Sequence, residues 1–133
     1  MKEFKPAPWE SLRTVEPSLE DARGVIRNII AGPFEHLAFV TSKAGSVRGN
    51  HYHKVGWQWC WIVEGKVRCF SRSAEDTEGE YHIVVARPYD LIITPPRVAH
   101  RHEYLEDTKF IAVYDVKRLK LEKEDTYRFD SWK

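Results

Sequence analysis

The sequence predicts an all-β domain, either a barrel or a sandwich. Two observations favour this class: about nine short segments read as β-strands, and turn-forming residues separate them. A third is that no segment keeps the period of about 3.6 residues that marks a long helix. The chain has 133 residues, a length that suits one core, and we predict a single domain over residues 1–133.

The predicted domain has an arm, a barrel and a tail. Residues 1–24 form the arm, because Pro6, Pro8 and Pro17 favour an extended chain with at most one edge strand. The barrel is predicted over residues 25–116, which hold the strand-like segments. Its strands are predicted over residues 25–30, 35–41, 47–53, 57–63, 67–71, 81–85, 91–94, 100–104 and 108–116.

Residues 117–133 form the predicted tail. The run 117–123 is charged and is most simply a solvated segment. The pattern does not decide between a strand and an irregular chain for this tail, and a short helix over residues 120–125 is a further alternative. Aromatic residues that could anchor the tail by packing are Tyr127, Phe129 and Trp132.

Composition excludes several classes of protein. Hydrophobic residues make up 42% and charged residues 31% of the chain, as in an ordinary soluble domain. A formal net charge of +1 gives no electrostatic basis for binding nucleic acid or an anionic membrane. No apolar run approaches the roughly 20 residues of a membrane span, and the N-terminus lacks the apolar core of a signal peptide. Two cysteines are too few for a disulfide framework, so we predict a cytoplasmic location.

Histidines mark the candidate site. His51 and His53 are spaced i, i+2 on a predicted strand, so both imidazoles point to one face, about 7 Å apart along the backbone. Gln58 follows after a tight turn and can return beside them, and His100 can join from a distant strand. An isolated pair of this kind is commonly a structural or surface feature. Here the consistent spacing of the four groups favours one functional site inside the barrel.

The chemistry of these groups leaves two alternatives. Imidazole is a ligand for zinc, copper, iron and nickel, and three His with one Gln would leave open positions for water or substrate. Imidazole is also poised near neutral pH for proton transfer.

The spacing of these residues resembles the two motifs of the cupin superfamily. Gly45-x5-His51-x-His53-x4-Gln58-x6-Gly65 resembles the first motif, with Gln58 where many cupins carry Glu. The segment that resembles the second motif is Tyr89-Asp90-x4-Pro95-x-Arg97-x2-His100-x3-Tyr104. The resemblance implies a double-stranded β-helix, a jelly-roll barrel with the site inside. It says little about the reaction, because this fold hosts many chemistries.

A narrower resemblance concerns the stretch Arg48-Gly-x-His51-x-His53-Lys54-x3-Gln58. It looks like the sugar-nucleotide 3,4-ketoisomerases, cupins that act on dTDP-linked 4-keto-6-deoxy sugars. Related stretches occur in cupin domains of capsular-polysaccharide enzymes, and Asp21-x-Arg23-Gly24 is like a segment of 3,5-epimerases. The resemblance implies that His51 and His53 act as acid and base without a metal and that Arg48 contacts the diphosphate.

A competing resemblance is to small metal-binding cupins with three His and one Gln, including some that act on uronate-derived sugars. It implies a divalent transition metal (Fe, Ni, Zn or Mn) held by His51, His53, Gln58 and His100. Both resemblances use the same residues, so spacing does not separate them.

Further residues are candidates for the same pocket. His102 and Tyr104 share the face of His100 and could act in catalysis as proton donors, or simply pack. Cys60 shares the face of Gln58 and is either a small buried residue or a substrate contact or nucleophile. Arg97 could bind a substrate carboxylate or phosphate at the pocket mouth, or be a solvated loop residue.

The outer face of the barrel carries Trp57, Trp59 and Trp61, which alternate with Gln58 along one predicted strand. Three exposed indoles would form a large apolar patch, so we expect the arm or a dimer interface to cover them. A sugar-stacking platform is the minor alternative. We assign surface or structural roles to His36 and His82.

The sequence thus predicts a homodimeric cupin that binds a small molecule such as a sugar nucleotide. Its expected reaction is an isomerase-type proton transfer. A metal-dependent dioxygenase or lyase and a non-catalytic ligand-binding cupin are the alternatives.

Overall fold

The computed structural model of the protein describes residues 7–76, 78 and 80–132. Residues 1–6 of the predicted arm and residue 133 of the tail lie outside the described residues. The elements in chain order are β1 (Ser11–Thr14), β2 (Leu19–Asp21), β3 (Gly24–Ile26), β4 (His36–Ser42), β5 (Val47–Tyr52), β6 (Gln58–Glu64), β7 (Val67–Ser73), β8 (His82–Ala86), β9 (Asp90–Thr94), β10 (Val98–Tyr104), β11 (Thr108–Tyr114), α1 (Arg118–Glu124) and β12 (Tyr127–Arg128).

Two antiparallel five-stranded sheets form the barrel. One has the strand order β1-β9-β6-β11-β4, and the other has the order β12-β5-β10-β7-β8. Strands that are distant in sequence are neighbours in both sheets, as in a double-stranded β-helix. The predicted all-β jelly-roll class is confirmed. Within the described residues, no helix has the length and hydrophobicity of a membrane span.

The alternation of β6 shows how the sheets enclose a core. Gln58, Cys60 and Ile62 are buried, whereas Trp59 and Trp61 on the opposite face are half-buried. Ile62 packs in a cluster with Ile92 and Phe110 of the neighbouring strands β9 and β11 and with Val67 of β7 in the other sheet. Burial of each such large apolar side chain stabilises the fold by about 1.5–3 kcal/mol.

Two strands extend the sheets beyond the predicted barrel boundaries at residues 25 and 116. β1 lies within the predicted arm and pairs with β9, and β12 lies within the predicted tail and pairs with β5. The predicted strand over 25–30 is shortened to β3, which pairs with β2 in a separate two-stranded sheet. Val25 and Ile26 are exposed there, so apolar composition alone misassigned them to the barrel.

The indoles of β6 are partly covered. Phe34 contacts Trp59 edge-on at 5.4 Å between ring centroids, and Trp57 stacks on Trp59 at 6.0 Å. This covering residue, Phe34, comes from the segment before β4. At the sheet edge, Leu37 and Phe39 of β4 are 65% and 61% exposed. The homodimer stays a prediction.

Gly49 is required by the pairing of β5 with β10. Its φ is +97°, and a Cβ atom there would lie 2.7 Å from the carbonyl oxygen of His100. The substitution Gly49→Ala should lower the free energy of unfolding by about 2–4 kcal/mol, because backbone strain adds to a clash with a fixed backbone atom. Urea unfolding measures the change.

Gly45→Ala is the matched control for this prediction. Gly45 also has a positive φ, of +86°, but a Cβ atom there meets nothing within 4 Å. The control carries only backbone strain and should cost about 1 kcal/mol. Equal losses in the two variants would show that close packing against His100 is not the cause.

Candidate active site

A cavity of about 650 Å³ opens between the two sheets. Its lining includes most of the residues predicted for the site: Arg48, His51, His53, Gln58, His100, His102 and Tyr104. Cys60 and Arg97 are not among the lining residues. A volume of this size is typical of small-molecule sites.

Three histidines form a cluster on the wall of the cavity. His51 lies on β5 directly opposite His100 on β10, and His53 follows the end of β5. The ring centroids are 4.6 Å apart for His51 and His100, 5.0 Å for His51 and His53, and 6.1 Å for His53 and His100. The register of two strands therefore brings together groups that are distant in sequence.

The ring of His53 is held by the tail. Its Nδ1 lies 2.7 Å from the backbone carbonyl oxygen of Asp125. A carbonyl oxygen only accepts hydrogen bonds, so Nδ1 carries a proton, and in the neutral ring Nε2 is the nitrogen with the lone pair. His53 is thus suited to accept a proton or to bind an ion through Nε2.

Burial keeps two of these histidines neutral. Desolvation, aided by the neighbouring His53, lowers the pKa of His51 to about 4. The pKa of His100 is lowered well below its ordinary value, first by burial and then by His51. His100 is 2% exposed, and its Nδ1 is a buried polar atom that has no hydrogen-bond partner among the described residues. Both rings are therefore uncharged near pH 7.

His102 behaves in the opposite way because Glu10 lies against it. Burial disfavours the imidazolium, but Glu10 and Cys69 together outweigh this, and the pKa of His102 is raised well above its ordinary value. The Nε2 of His102 donates to Oε1 and Oε2 of Glu10 at 2.9 and 3.0 Å. Glu10 is fully buried and also accepts a hydrogen bond from Thr94.

Gln58 and Cys60 are linked on β6. The Nε2 of Gln58 donates to Sγ of Cys60 at 3.2 Å, which leaves the amide oxygen of Gln58 to bind a ligand in the cavity. Burial raises the pKa of the Cys60 thiol to about 11, so this sulfur is a thiol near neutral pH. Its position behind Gln58 supports the packing alternative for Cys60.

The two predicted substrate-binding arginines differ. Arg48 lines the cavity, where its guanidinium donates to Oγ of Ser42 at 2.7 Å and to the carbonyl oxygen of Thr41 at 3.0 Å. Arg97 has a positive φ of 64° and pairs with the exposed Glu75 at 3.0 Å. The structure therefore gives Arg97 no contact with this cavity.

Tyr104 is buried beside the histidines and stacks on Phe110 at 6.0 Å between ring centroids. Burial raises its pKa, so the phenol is protonated near pH 7 and can donate a hydrogen bond.

Some lining residues were not predicted. His36 lines the cavity, stacks on Tyr114 at 4.3 Å and places Nδ1 2.9 Å from the carbonyl oxygen of Val116. It lies on the same face as Ala38 and Val40, and this alternation was the available signal. His82, by contrast, is exposed and stacks on Trp9. Glu122 and Thr126 of the tail also line the cavity.

The chemistry of these side chains suits a divalent transition metal, but their spacing suits it only in part. The uncharged imidazoles of His51 and His100 and the unpartnered His100 Nδ1 suit such an ion. The nitrogen atoms of His51, His53 and His100 do not all lie within 4.8 Å of one another, whereas donor atoms of Glu10, Cys69 and His102 do. The predicted ligand set stays a prediction.

Acid should destabilise the protein through His51. Below pH 6.5 the unfolded imidazole binds a proton, but the folded imidazole does so only near pH 4. The free energy of unfolding should therefore fall as the pH drops from about 6.5 towards 4, by about 3 kcal/mol from this group. Urea unfolding between pH 7 and 4.5 measures this, with His51→Gln as the control. Parallel pH profiles for the two proteins would contradict the prediction.

Solved structures share this architecture. A variant of the 3,4-ketoisomerase QdtA from Thermoanaerobacterium thermosaccharolyticum, in complex with TDP-4-keto-6-deoxyglucose, is 16% identical, with a TM-score of 0.72 over 90% of this chain and 86% of that one. A 3,4-ketoisomerase from Helicobacter canadensis is 12% identical, with a TM-score of 0.72 over 90% of each chain. The rmlC epimerase of Mycobacterium tuberculosis is 16% identical, with a TM-score of 0.74 over 96% of this chain and 72% of that one.

These similarities show the fold: the protein has a jelly-roll β-barrel, the fold that its two motifs implied. The sequence has no significant match among curated proteins. Residues 19–127 match the family described as the polysaccharide biosynthesis C-terminal domain. Because this match covers most of the chain, the protein belongs to that family.

Proposed function

We propose that the protein isomerises or epimerises a keto sugar linked to a nucleoside diphosphate. The observation that carries this proposal is the pair of adjacent histidines in the cavity, one of which, His53, has its Nδ1 proton engaged and its Nε2 free. The fold neighbours support it, because they include 3,4-ketoisomerases and an epimerase, one of them in complex with TDP-4-keto-6-deoxyglucose.

The reaction needs only proton transfers. A base removes the proton from the carbon beside the carbonyl and leaves an enolate. Return of a proton to the same carbon on the other face gives the epimer. Movement of a proton between the two oxygens, followed by protonation of the former carbonyl carbon, gives the shifted ketone. No net oxidation or reduction occurs, so a positioned acid and base are sufficient.

His53 is the proposed base, because its Nε2 is the unprotonated nitrogen. His51 is the proposed second proton carrier, since its ring centroid lies 5.0 Å away. Tyr104 lines the cavity as the proposed hydrogen-bond donor for developing negative charge on the substrate oxygen. His102, whose Nε2 is engaged by Glu10, is proposed to add positive charge to the same wall. Arg48 is proposed to bind the diphosphate.

Turnover assays test this function. The protein is incubated with TDP-4-keto-6-deoxyglucose, and the sugar is followed by NMR for a shifted carbonyl or an inverted carbon. Product formation that requires His51 and His53 is the expected result. Binding of the nucleotide sugar without turnover would favour a non-catalytic cupin instead.

A metal-assisted reaction is the second candidate, favoured by the unpartnered Nδ1 of His100. A divalent ion held by His51, His53, Gln58 and His100 would polarise the substrate carbonyl. Metal content by mass spectrometry separates the candidates. About one equivalent of a transition metal, lost in His51→Ala together with activity, would favour it; full activity of metal-free protein would exclude it.

A further inference from the structure

The C-terminal tail reaches the candidate active site through one buried residue, Asp125. Its carboxylate accepts hydrogen bonds from three consecutive backbone N–H groups in the turn that follows His53. The donors are Lys54 at 2.8 Å, Val55 at 3.2 Å and Gly56 at 2.8 Å. A carboxylate held by three amides is fixed in place, because hydrogen bonds to a charged acceptor are among the stronger ones in proteins.

The backbone of the same residue holds the imidazole. The carbonyl oxygen of Asp125 accepts the Nδ1 proton of His53 at 2.7 Å. The side chain of Asp125 thus binds the turn beside His53, and its backbone binds the ring. Thr126 is the next nearest partner of Nδ1, at 3.5 Å, which is too long for a strong hydrogen bond.

We infer that Asp125 is a positioning residue for His53. It ties the tail to the turn so that the carbonyl oxygen keeps His53 in one orientation and as the Nδ1–H tautomer. The catalytic consequence rests on the proposed function, since only then does the free Nε2 accept a substrate proton. The tail is accordingly part of the active site.

The test compares Asp125→Ala with Asp115→Ala. Asp115 is the matched control, because its Oδ1 accepts the backbone N–H of Trp57 at 2.8 Å in the same loop, whereas the hydrogen bond to the ring of His53 comes from Asp125. Long-range ¹H–¹⁵N NMR on the folded proteins reports the tautomer of His53. Wild type and Asp115→Ala should show the Nδ1–H form alone, and Asp125→Ala should show a mixture of both tautomers.

Kinetics provide the second measurement. In Asp125→Ala, kcat should fall by about 10- to 100-fold while KM changes by less than about threefold, as for other groups that orient a functional histidine. Asp125→Asn should give a kcat between those of Asp125→Ala and wild type, because its amide oxygen still accepts from one side of the turn while its NH2 group faces a backbone N–H on the other. Asp115→Ala should keep both constants within about threefold of wild type.

A wild-type tautomer and kcat in folded Asp125→Ala would overturn the inference, as would an equal loss in Asp115→Ala. If Asp125→Ala does not fold, Asp125→Ser takes its place, since a serine can bind fewer of the three amides. If no nucleotide sugar is turned over, the proposed function fails, and the NMR comparison still decides whether Asp125 positions His53.

Discussion

Replacing Glu10 by alanine is expected to lower the free energy of unfolding by about 3–5 kcal/mol. The carboxylate is fully buried and lies 2.9 Å from Nε2 of His102. Its loss leaves a buried imidazolium without its counter-charge and removes the acceptor for the Thr94 hydroxyl. The backbone N–H of Glu10, which donates to Oγ of Ser71 at 2.9 Å, is kept in the variant, so the expected loss comes from the side chain alone.

Urea unfolding at pH 7 measures this loss. Glu16→Ala is the control, because Glu16 is an exposed carboxylate of the same arm; it should change stability by less than about 0.5 kcal/mol. The double variant Glu10→Ala/His102→Leu should be less destabilised than the sum of the single variants, because it leaves no unpaired charge. A loss under 1 kcal/mol for Glu10→Ala would contradict a charged pair in the core.

Replacing His53 by alanine is expected to lower kcat on a nucleotide-linked keto sugar by about 10²- to 10⁴-fold. The variant removes the proposed base together with its bond to the Asp125 carbonyl. KM should change less than kcat, since the imidazole acts on the reacting carbon and not on the nucleotide.

His82→Ala is the control for this variant, because His82 is exposed on β8 and stacks on Trp9 outside the cavity. It should retain kcat within about twofold. A folded His53→Ala protein with more than a third of the wild-type kcat would show that His53 is not the base.

Local patterns explain why the fold and part of the cavity lining could be predicted. The alternation of side chains along β6 puts Gln58 and Trp59 on opposite faces of the sheet. This inference needs no knowledge of the neighbouring strands. The i, i+2 spacing likewise put His51 and His53 on one face, and both line the cavity. Each of these inferences concerns one strand only, and the face on which a side chain lies within one strand follows directly from its position in the sequence.

Contacts between the chain ends and the barrel could not be predicted. Glu10 meets His102, which is 92 residues away in sequence, and Asp125 meets His53, which is 72 residues away. Neither end carries a periodic pattern that would reveal such a partner. The same limit explains β4, where Leu37 and Phe39 face outward although they are more apolar than His36 on the inner face.

Arg97 shows a further limit. The sequence placed Arg97 at the pocket mouth, but Arg97 does not line the cavity. Its backbone has a positive φ, and its side chain forms an ion pair with Glu75. Loop direction depends on backbone angles that a short motif does not encode.

The central claim is that histidines of this cavity move a proton on the carbon beside a sugar carbonyl. Incubation of wild type and His53→Ala with TDP-4-keto-6-deoxyglucose in D₂O, followed by ¹H NMR of the sugar ring, tests it most directly. We predict that wild type exchanges the hydrogen beside the carbonyl for deuterium and that His53→Ala does so at least about 100-fold more slowly. Equal exchange rates for the two proteins, or no exchange above the enzyme-free rate with wild type, would contradict it.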